Sequence, residues 1–227
     1  VNLGRILWVA GAYFVGISFT FLILWAKGAR DVLAVADRRQ SETDAHILIR
    51  DHIGMGWMVL AATIDVTKAG LYPLAARRFG HLPESWVALC GFILVLGYAF
   101  PLFARALAGR GLGAAAGVML ALTPLPMVAG GIVTALGVLA HRTGPASTIG
   151  FAIIPIAAAL QGQPGFLVAM CAGLFGMILL RRLEGVSQAA ARWGWPLALW
   201  RRLVFDADVP AEQQGAPAFE RHRRREA

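Results

Sequence analysis

The chain has 227 residues, 58% hydrophobic and only 15% charged, with a mean hydropathy of +0.63 and a net charge of +8. That composition excludes an ordinary soluble globular domain and fits an all-α, polytopic helix bundle in a membrane. The basic residues lie beside apolar segments, so the positive excess reads as topology and attraction to lipid headgroups, with no nucleic acid as partner.

A hydrocarbon core of about 30 Å needs about 20 helical residues. Ile6 to Trp25 supplies the first such run, ended by Lys27 and Arg30. It lacks a small-residue cleavage site followed by a soluble domain, so it is expected to stay as a span and not to leave as a signal peptide. The stretch from Lys27 to His52 carries Arg38, Arg39, Glu42, Asp44 and Arg50 and is too charged to span. A second helix is expected from Ile53 to Ala76, with Asp65 and Lys68 on one face at i,i+3 spacing. A third runs from Trp86 to Ala108, with Pro101 near its exit.

Leu112 to Ala140 is too long for one crossing and too short for two ordinary ones. Pro124-Leu125-Pro126 divides it into a short helix, Leu112 to Thr123, and a fifth element, Met127 to Ala140. Short interrupted helices leave backbone ends available to ligands. Ser147 to Leu160 and Gly165 to Leu180 complete the set, joined by Gln161-Gly162-Gln163-Pro164.

About seven transmembrane elements with the N-terminus outside place Lys27 to Arg50, Arg105 to Arg110, His141-Arg142 and Arg181-Arg182 on the cytoplasmic side, as positive-inside orientation requires. Arg77-Arg78 alone falls on the wrong side. Six spans, with Leu112 to Ala140 as one kinked helix, lose that agreement. Residues 1–185 thus form the transmembrane domain. Residues 186–205, where Trp193, Trp195, Leu197, Leu199, Trp200 and Leu203 interleave with Arg192, Arg201 and Arg202, suit an amphipathic helix in the headgroup layer. Residues 206–227 are rich in Pro, Gln, Glu and Arg and are expected to be a disordered cytoplasmic tail of an inner-membrane protein.

The chemistry is expected at Gly109-Arg110-Gly111-Leu112-Gly113. An arginine in hydrocarbon costs roughly 2.5–3.5 kcal/mol on insertion scales, so a basic residue on a glycine bend between apolar segments is expected to face a polar cavity holding an anion. A planar guanidinium fork and the amides opening the next helix would bind a phosphate. The competing reading is a snorkelling arginine, with Gly113 and Gly117 as a helix-packing pair. Asp65 and Lys68 are expected to form an intramembrane ion pair, chiefly structural. His46 and His52 flank Arg50, where one reading is a general base near a hydroxyl acceptor; they read rather as solvated loop histidines, because no fixed spacing ties them to a nucleophile or carboxylate. Tyr98 reads as a hydrogen-bonding residue of the bundle. Cys90 and Cys171 lie in apolar runs without metal-ligand spacing to histidine, and no metal is expected.

The order of these features resembles the PlsY-type acyl-phosphate:glycerol-3-phosphate acyltransferases of bacteria. That family shows Gly-His-x-x-Pro-x-Phe, then Phe-Lys-Gly-Gly-Lys-Gly-Val-Ala-Thr. Here Gly97-Tyr98-Ala99-Phe100-Pro101-Leu102-Phe103 and Ala106-Leu107-Ala108-Gly109-Arg110-Gly111-Leu112-Gly113-Ala114 stand at the same spacing. The family's Asp-x-x-Lys-Gly resembles Asp65-Val66-Thr67-Lys68-Ala69. Its Thr-Asn-Val-Leu-Arg motif ends at Arg50, with one residue inserted between the two. Its serine stretch resembles Arg142-Thr143-Gly144-Pro145-Ala146-Ser147, and its Arg-Leu-Leu-x-Gly-Thr-Glu ending resembles Arg181-Arg182-Leu183-Glu184-Gly185-Val186-Ser187.

The resemblance implies acyl transfer from a soluble acyl phosphate to glycerol 3-phosphate, in membrane lipid and without a metal or organic cofactor. Arg50, Lys68, Gly109, Arg110, Gly111 and Gly113 would bind phosphate, with Asp65 and Ser147 in support. The departures imply reduced or lost activity. The family's Gly-Ser-Gly-Asn falls on Arg39-Gln40-Ser41-Glu42, its Gly-His on Gly97-Tyr98, and its His-Arg-x-Asn on Phe175-Gly176-Met177-Ile178. Two readings without acyl transfer stand beside this one. The first is a non-catalytic relative, either a lipid-binding module or an accessory to other membrane subunits. The second is a small transporter built on broken helices, although the sequence has no internal repeat.

Overall fold

A computed structural model describes residues 2–17, 26, 46, 49–50, 53–102, 109–183 and 186–205, without the side chains of 188, 192, 193 and 205. All regular structure among the described residues is helical. The bundle comprises α1 (Leu3–Gly16), α2 (Met55–Arg78), α3 (Glu84–Ala99), α4 (Leu112–Leu122), α5 (Pro124–Leu139), α6 (Thr143–Leu160) and α7 (Gly165–Arg182). Two short helices follow, α8 (Val186–Trp193) and α9 (Trp195–Trp200), and then a π-helical turn, Arg201–Phe205.

The boundaries follow local chemistry. Asn2 caps α1 by accepting the Gly4 amide at 3.0 Å. The expected first run to Trp25 is described only to Ile17, which caps α1; residues 18–25 lie outside the described set. The third element ends earlier than the sequence suggests. It stops at Ala99, because Phe100 precedes Pro101 and is turned out of helical backbone (φ −131°, ψ 64°). The split at Pro124 is real: Thr123 leaves helical backbone, its hydroxyl donates back to the Met119 carbonyl at 3.0 Å, and Pro124 opens α5 at a position where no amide is needed.

Among these helices α6 and α7 are long and apolar enough to cross a membrane, and α1, α3, α4 and α5 are shorter apolar helices. At 1.5 Å per residue the 11 residues of α4 rise about 17 Å, roughly half a hydrocarbon core. Large apolar side chains point outward on every side, among them Leu7, Phe14, Leu125, Leu139, Leu160 and Leu180, all more than half exposed. In water such a surface would aggregate; against lipid tails it is the expected exterior.

The helix α3 is the hub and packs on α1, α2, α4 and α7. Glycines set the closest approaches between helices. At the α5–α6 crossing an added Cβ on Gly130 would come within 2.4 Å of the Gly150 carbonyl oxygen, so side-chain-free backbones meet there. The amphipathic stretch is not one helix. Gly194, at φ 77°, breaks it between α8 and α9, which bury Ala189, Ala190 and Ala198 against each other and leave Trp195 and Trp200 more than half exposed.

Candidate functional site

The site begins at Asp65, in the middle of α2 and only 1% exposed. Its Oδ1 lies 2.9 Å from Lys68 Nζ one helical turn on, so the intramembrane pair expected from i,i+3 spacing is made. Lys68 does more than pair. Its ammonium donates to the carbonyl of Ile17 at 2.9 Å and of Gly16 at 3.4 Å, which places a cation at the negative end of α1. The same nitrogen lies 5.7 Å from the centre of the Tyr98 ring, within reach of a cation–π attraction.

Tyr98 then carries the cluster to the glycine bend. It is 2% exposed, and Gly109 packs against its ring so closely that a Cβ would sit 2.2 Å from Cε1. Gly111, at φ 81°, is in the left-handed region that glycine adopts without strain, and it starts α4 with no side-chain cap. On α4 itself a Cβ at Gly117 would lie 2.2 Å from the Val66 carbonyl oxygen, and one at Gly113 would lie 3.6 Å from Val66 Cγ2. The helix carrying Asp65 and Lys68 is therefore pressed against the helix that Arg110 introduces. Arg110 is half-buried between the two buried glycines.

Arg50 is half-buried on the segment entering α2, next to the buried Ile49, whose carbonyl accepts the amides of Ile53 and Gly54. One turn earlier lies the main correction to the sequence reading. His46 is no solvated loop residue: its Nε2 is 3.2 Å from Asp65 Oδ2, and the side chain is 18% exposed. Sequence spacing could not find this contact, because residues 46 and 65 meet through tertiary packing. The one available signal was Asp65 itself, a carboxylate in an apolar helix that needs more than one partner.

Ser147, expected in support of the phosphate-binding residues, lies near the start of α6. In the first turn of α6 its hydroxyl accepts from Arg182 Nη2 at 2.8 Å and donates to the Gly144 carbonyl at 2.9 Å. Arg182, 2% exposed, also donates to Thr148 Oγ1 and, at 3.0 Å, to the Leu203 carbonyl. This arginine closes α7 and does more than end an apolar run. It is a clasp joining α6, α7 and the segment after α9.

Of the motif departures, residues 39–42 lie outside the described residues. At the His-Arg-x-Asn position, Gly176 and Met177 line an apolar groove of about 550 Å³ with Phe92, Leu96, Phe100 and Leu203. Cys90 and Cys171 are free and buried.

These features define a class: a helical membrane protein whose polar residues are gathered at a glycine-lined helix crossing. The glycerol-3-phosphate acyltransferase family model matches residues 6–191, and the chain belongs to that family. It is similar to the glycerol-3-phosphate acyltransferase of Geotalea daltonii, 26% identical over 185 residues covering 81% of this chain and 93% of that protein. It is also similar to glycerol-3-phosphate acyltransferase 4 of Dehalococcoides mccartyi, 29% identical over 171 residues, 74% of this chain and 90% of that one. The fold matches the crystal structure of PlsY (YgiH), an integral membrane glycerol 3-phosphate acyltransferase. The TM-score is 0.69 for its glycerol 3-phosphate form, at 22% identity over 83% of this chain and 92% of the other. For its lysophosphatidic acid form it is 0.66, at 19% identity over 86% and 98%. This is an integral membrane protein.

Proposed function

We propose that the chain transfers an acyl group from an acyl phosphate to a hydroxyl of glycerol 3-phosphate and releases lysophosphatidic acid into the bilayer. The observation that carries this reading is the meeting of the buried Asp65–Lys68 pair with the glycine-lined start of α4. Arg50, Lys68 and Arg110 neutralise phosphate charge, while Gly109, Gly111 and Gly113 let backbone approach the ligand. Asp65 fixes the Lys68 ammonium. Ser147 acts at a distance, by anchoring Arg182.

The acyl phosphate is already an activated mixed anhydride, so the reaction calls for no metal or organic cofactor. What the protein supplies is proximity and a cationic setting for charge that grows on the departing phosphate. The reading includes seven crossings of the inner membrane, the N-terminus outside and a cytoplasmic C-terminus. Residues 1–185 are the reacting bundle, 186–205 an interfacial segment supported by the exposure of Trp195 and Trp200, and 206–227 a tail.

One observation favours a second reading. Phe175, Gly176 and the buried Ile178 stand where the family pattern carries histidine, arginine and asparagine, as a non-catalytic relative serving as lipid-binding module or accessory subunit would allow. Purified protein in liposomes, offered acyl phosphate and glycerol 3-phosphate, separates the two. Lysophosphatidic acid formation, lowered at least about 100-fold by Arg110→Ala, is the result expected of an enzyme whose arginine stabilises transferring phosphate. Absent turnover, with other membrane proteins co-purifying, supports the accessory role.

A further inference from the structure

The last turns of α1 and α3 meet at two glycines. An added Cβ on Gly16 would lie 2.0 Å from the Leu94 carbonyl oxygen and 3.1 Å from the Tyr98 amide nitrogen, and one on Gly97 would lie 2.1 Å from the Tyr13 carbonyl oxygen. Backbone therefore touches backbone, as small residues allow. The contact brings Tyr98 to the end of α1, where the carbonyls of Gly16 and Ile17 accept from Lys68. Position 98 is also a departure from the family pattern, tyrosine standing where that pattern has histidine.

We propose that Tyr98 is a positioning residue for phosphate binding: its ring, wedged against Gly109, holds the Lys68 ammonium where phosphate meets it. The inference rests on the acyl-transfer reading of the same site. The ammonium lies over the ring, 5.7 Å from its centre. The ring edge is braced by the glycine bend, where a Cβ on Gly109 would come within 2.2 Å of Cε1 and 2.7 Å of Cζ. The ring is 2% exposed, so it has no freedom to swing away.

An aromatic face suits this task because it attracts charge without using an N–H group. The Lys68 ammonium has three such groups. Asp65 Oδ1 and the Ile17 carbonyl, each at 2.9 Å, make the close contacts, and the Gly16 carbonyl stands farther off at 3.4 Å. A phosphate oxygen that enters the site replaces the Gly16 carbonyl as acceptor. The ring keeps its hold through that exchange. With the Lys68 side chain only 11% exposed, little water competes for the ammonium, which strengthens the attraction.

The test uses the full chain in liposomes, with acyl phosphate and glycerol 3-phosphate as probes and Tyr98→Leu, Tyr98→Met and Tyr98→Phe as variants. Leucine and methionine fill the space without offering a charge-attracting face. Each is expected to raise KM for glycerol 3-phosphate about 10-fold, the equivalent of about 1.4 kcal/mol, with kcat within about threefold. Tyr98→Phe keeps the ring and should return KM to within about threefold of the unmodified protein. An unchanged KM in Tyr98→Leu or Tyr98→Met, or a loss confined to kcat, overturns the inference while the acyl-transfer reading survives. A Tyr98→Phe variant as impaired as Tyr98→Leu assigns the effect to the hydroxyl and overturns it too. Methionine adapts to irregular gaps, so Tyr98→Met decides if Tyr98→Leu does not fold. Failure of both to fold makes Tyr98 a packing residue, and the inference falls. No turnover in the unmodified protein removes the acyl-transfer reading, and this inference with it.

Discussion

Single residues in this bundle matter in proportion to how many partners they hold out of water. Asp65 binds Lys68 and His46 at once, so Asp65→Ala leaves a half-buried ammonium without its counter-charge. The expected loss is about 3 kcal/mol, seen as a lower Tm in detergent. Replacing both members, Asp65→Ala with Lys68→Met, is expected to cost less than Asp65→Ala alone, because no stranded charge remains. A double mutant no more stable than the single one sinks the claim that the pair is mutually required. By contrast, Arg77 and Glu84 approach to 2.7 Å but are both exposed, and their removal should shift the melt by less than about 1 kcal/mol.

At the scale of elements, the interfaces that shape the site are backbone against backbone. Gly117 rests on the Val66 carbonyl, so Gly117→Leu must push α4 from α2. That displacement moves Arg110 relative to Lys68. We expect about 1–3 kcal/mol of destabilisation and a lost acyl-transfer rate, whereas Gly131→Ala, with open space around its added carbon, should do neither. The Arg182 clasp acts on other elements. Arg182→Ala breaks bonds to Ser147, Thr148 and the Leu203 carbonyl together, and is expected to cost about 1–3 kcal/mol and to free residues 195–205 for proteolysis. Resistance of that segment to limited proteolysis in the variant counts against the clasp.

For the whole molecule the question is orientation. Cysteines introduced at Gln163 and at Arg142 in a cysteine-free background should label from opposite sides of the membrane, Gln163 from outside. Labelling from one side contradicts the seven-crossing arrangement. The charge pattern supports it, with Arg181 and Arg182 closing α7 and His141-Arg142 preceding α6. Crossing of the short α4 needs the neighbouring helices, since 11 residues reach only about half the hydrocarbon thickness.

What the sequence determined by itself is what local chemistry and solvent dictate. Long apolar runs specify helices, Pro124 specifies the break between α4 and α5, and i,i+3 spacing specifies the Asp65–Lys68 pair. A charged group in an apolar segment also marks the site's neighbourhood, because hydrocarbon penalises it. The tertiary structure alone decided which distant groups share a carboxylate: His46 reached Asp65 across 19 positions, and Ser147 was claimed by Arg182 across 35. Those pairings come from helices packing through small residues over long chain separations. Neither periodicity nor spacing encodes them, since both describe only neighbours along one helix.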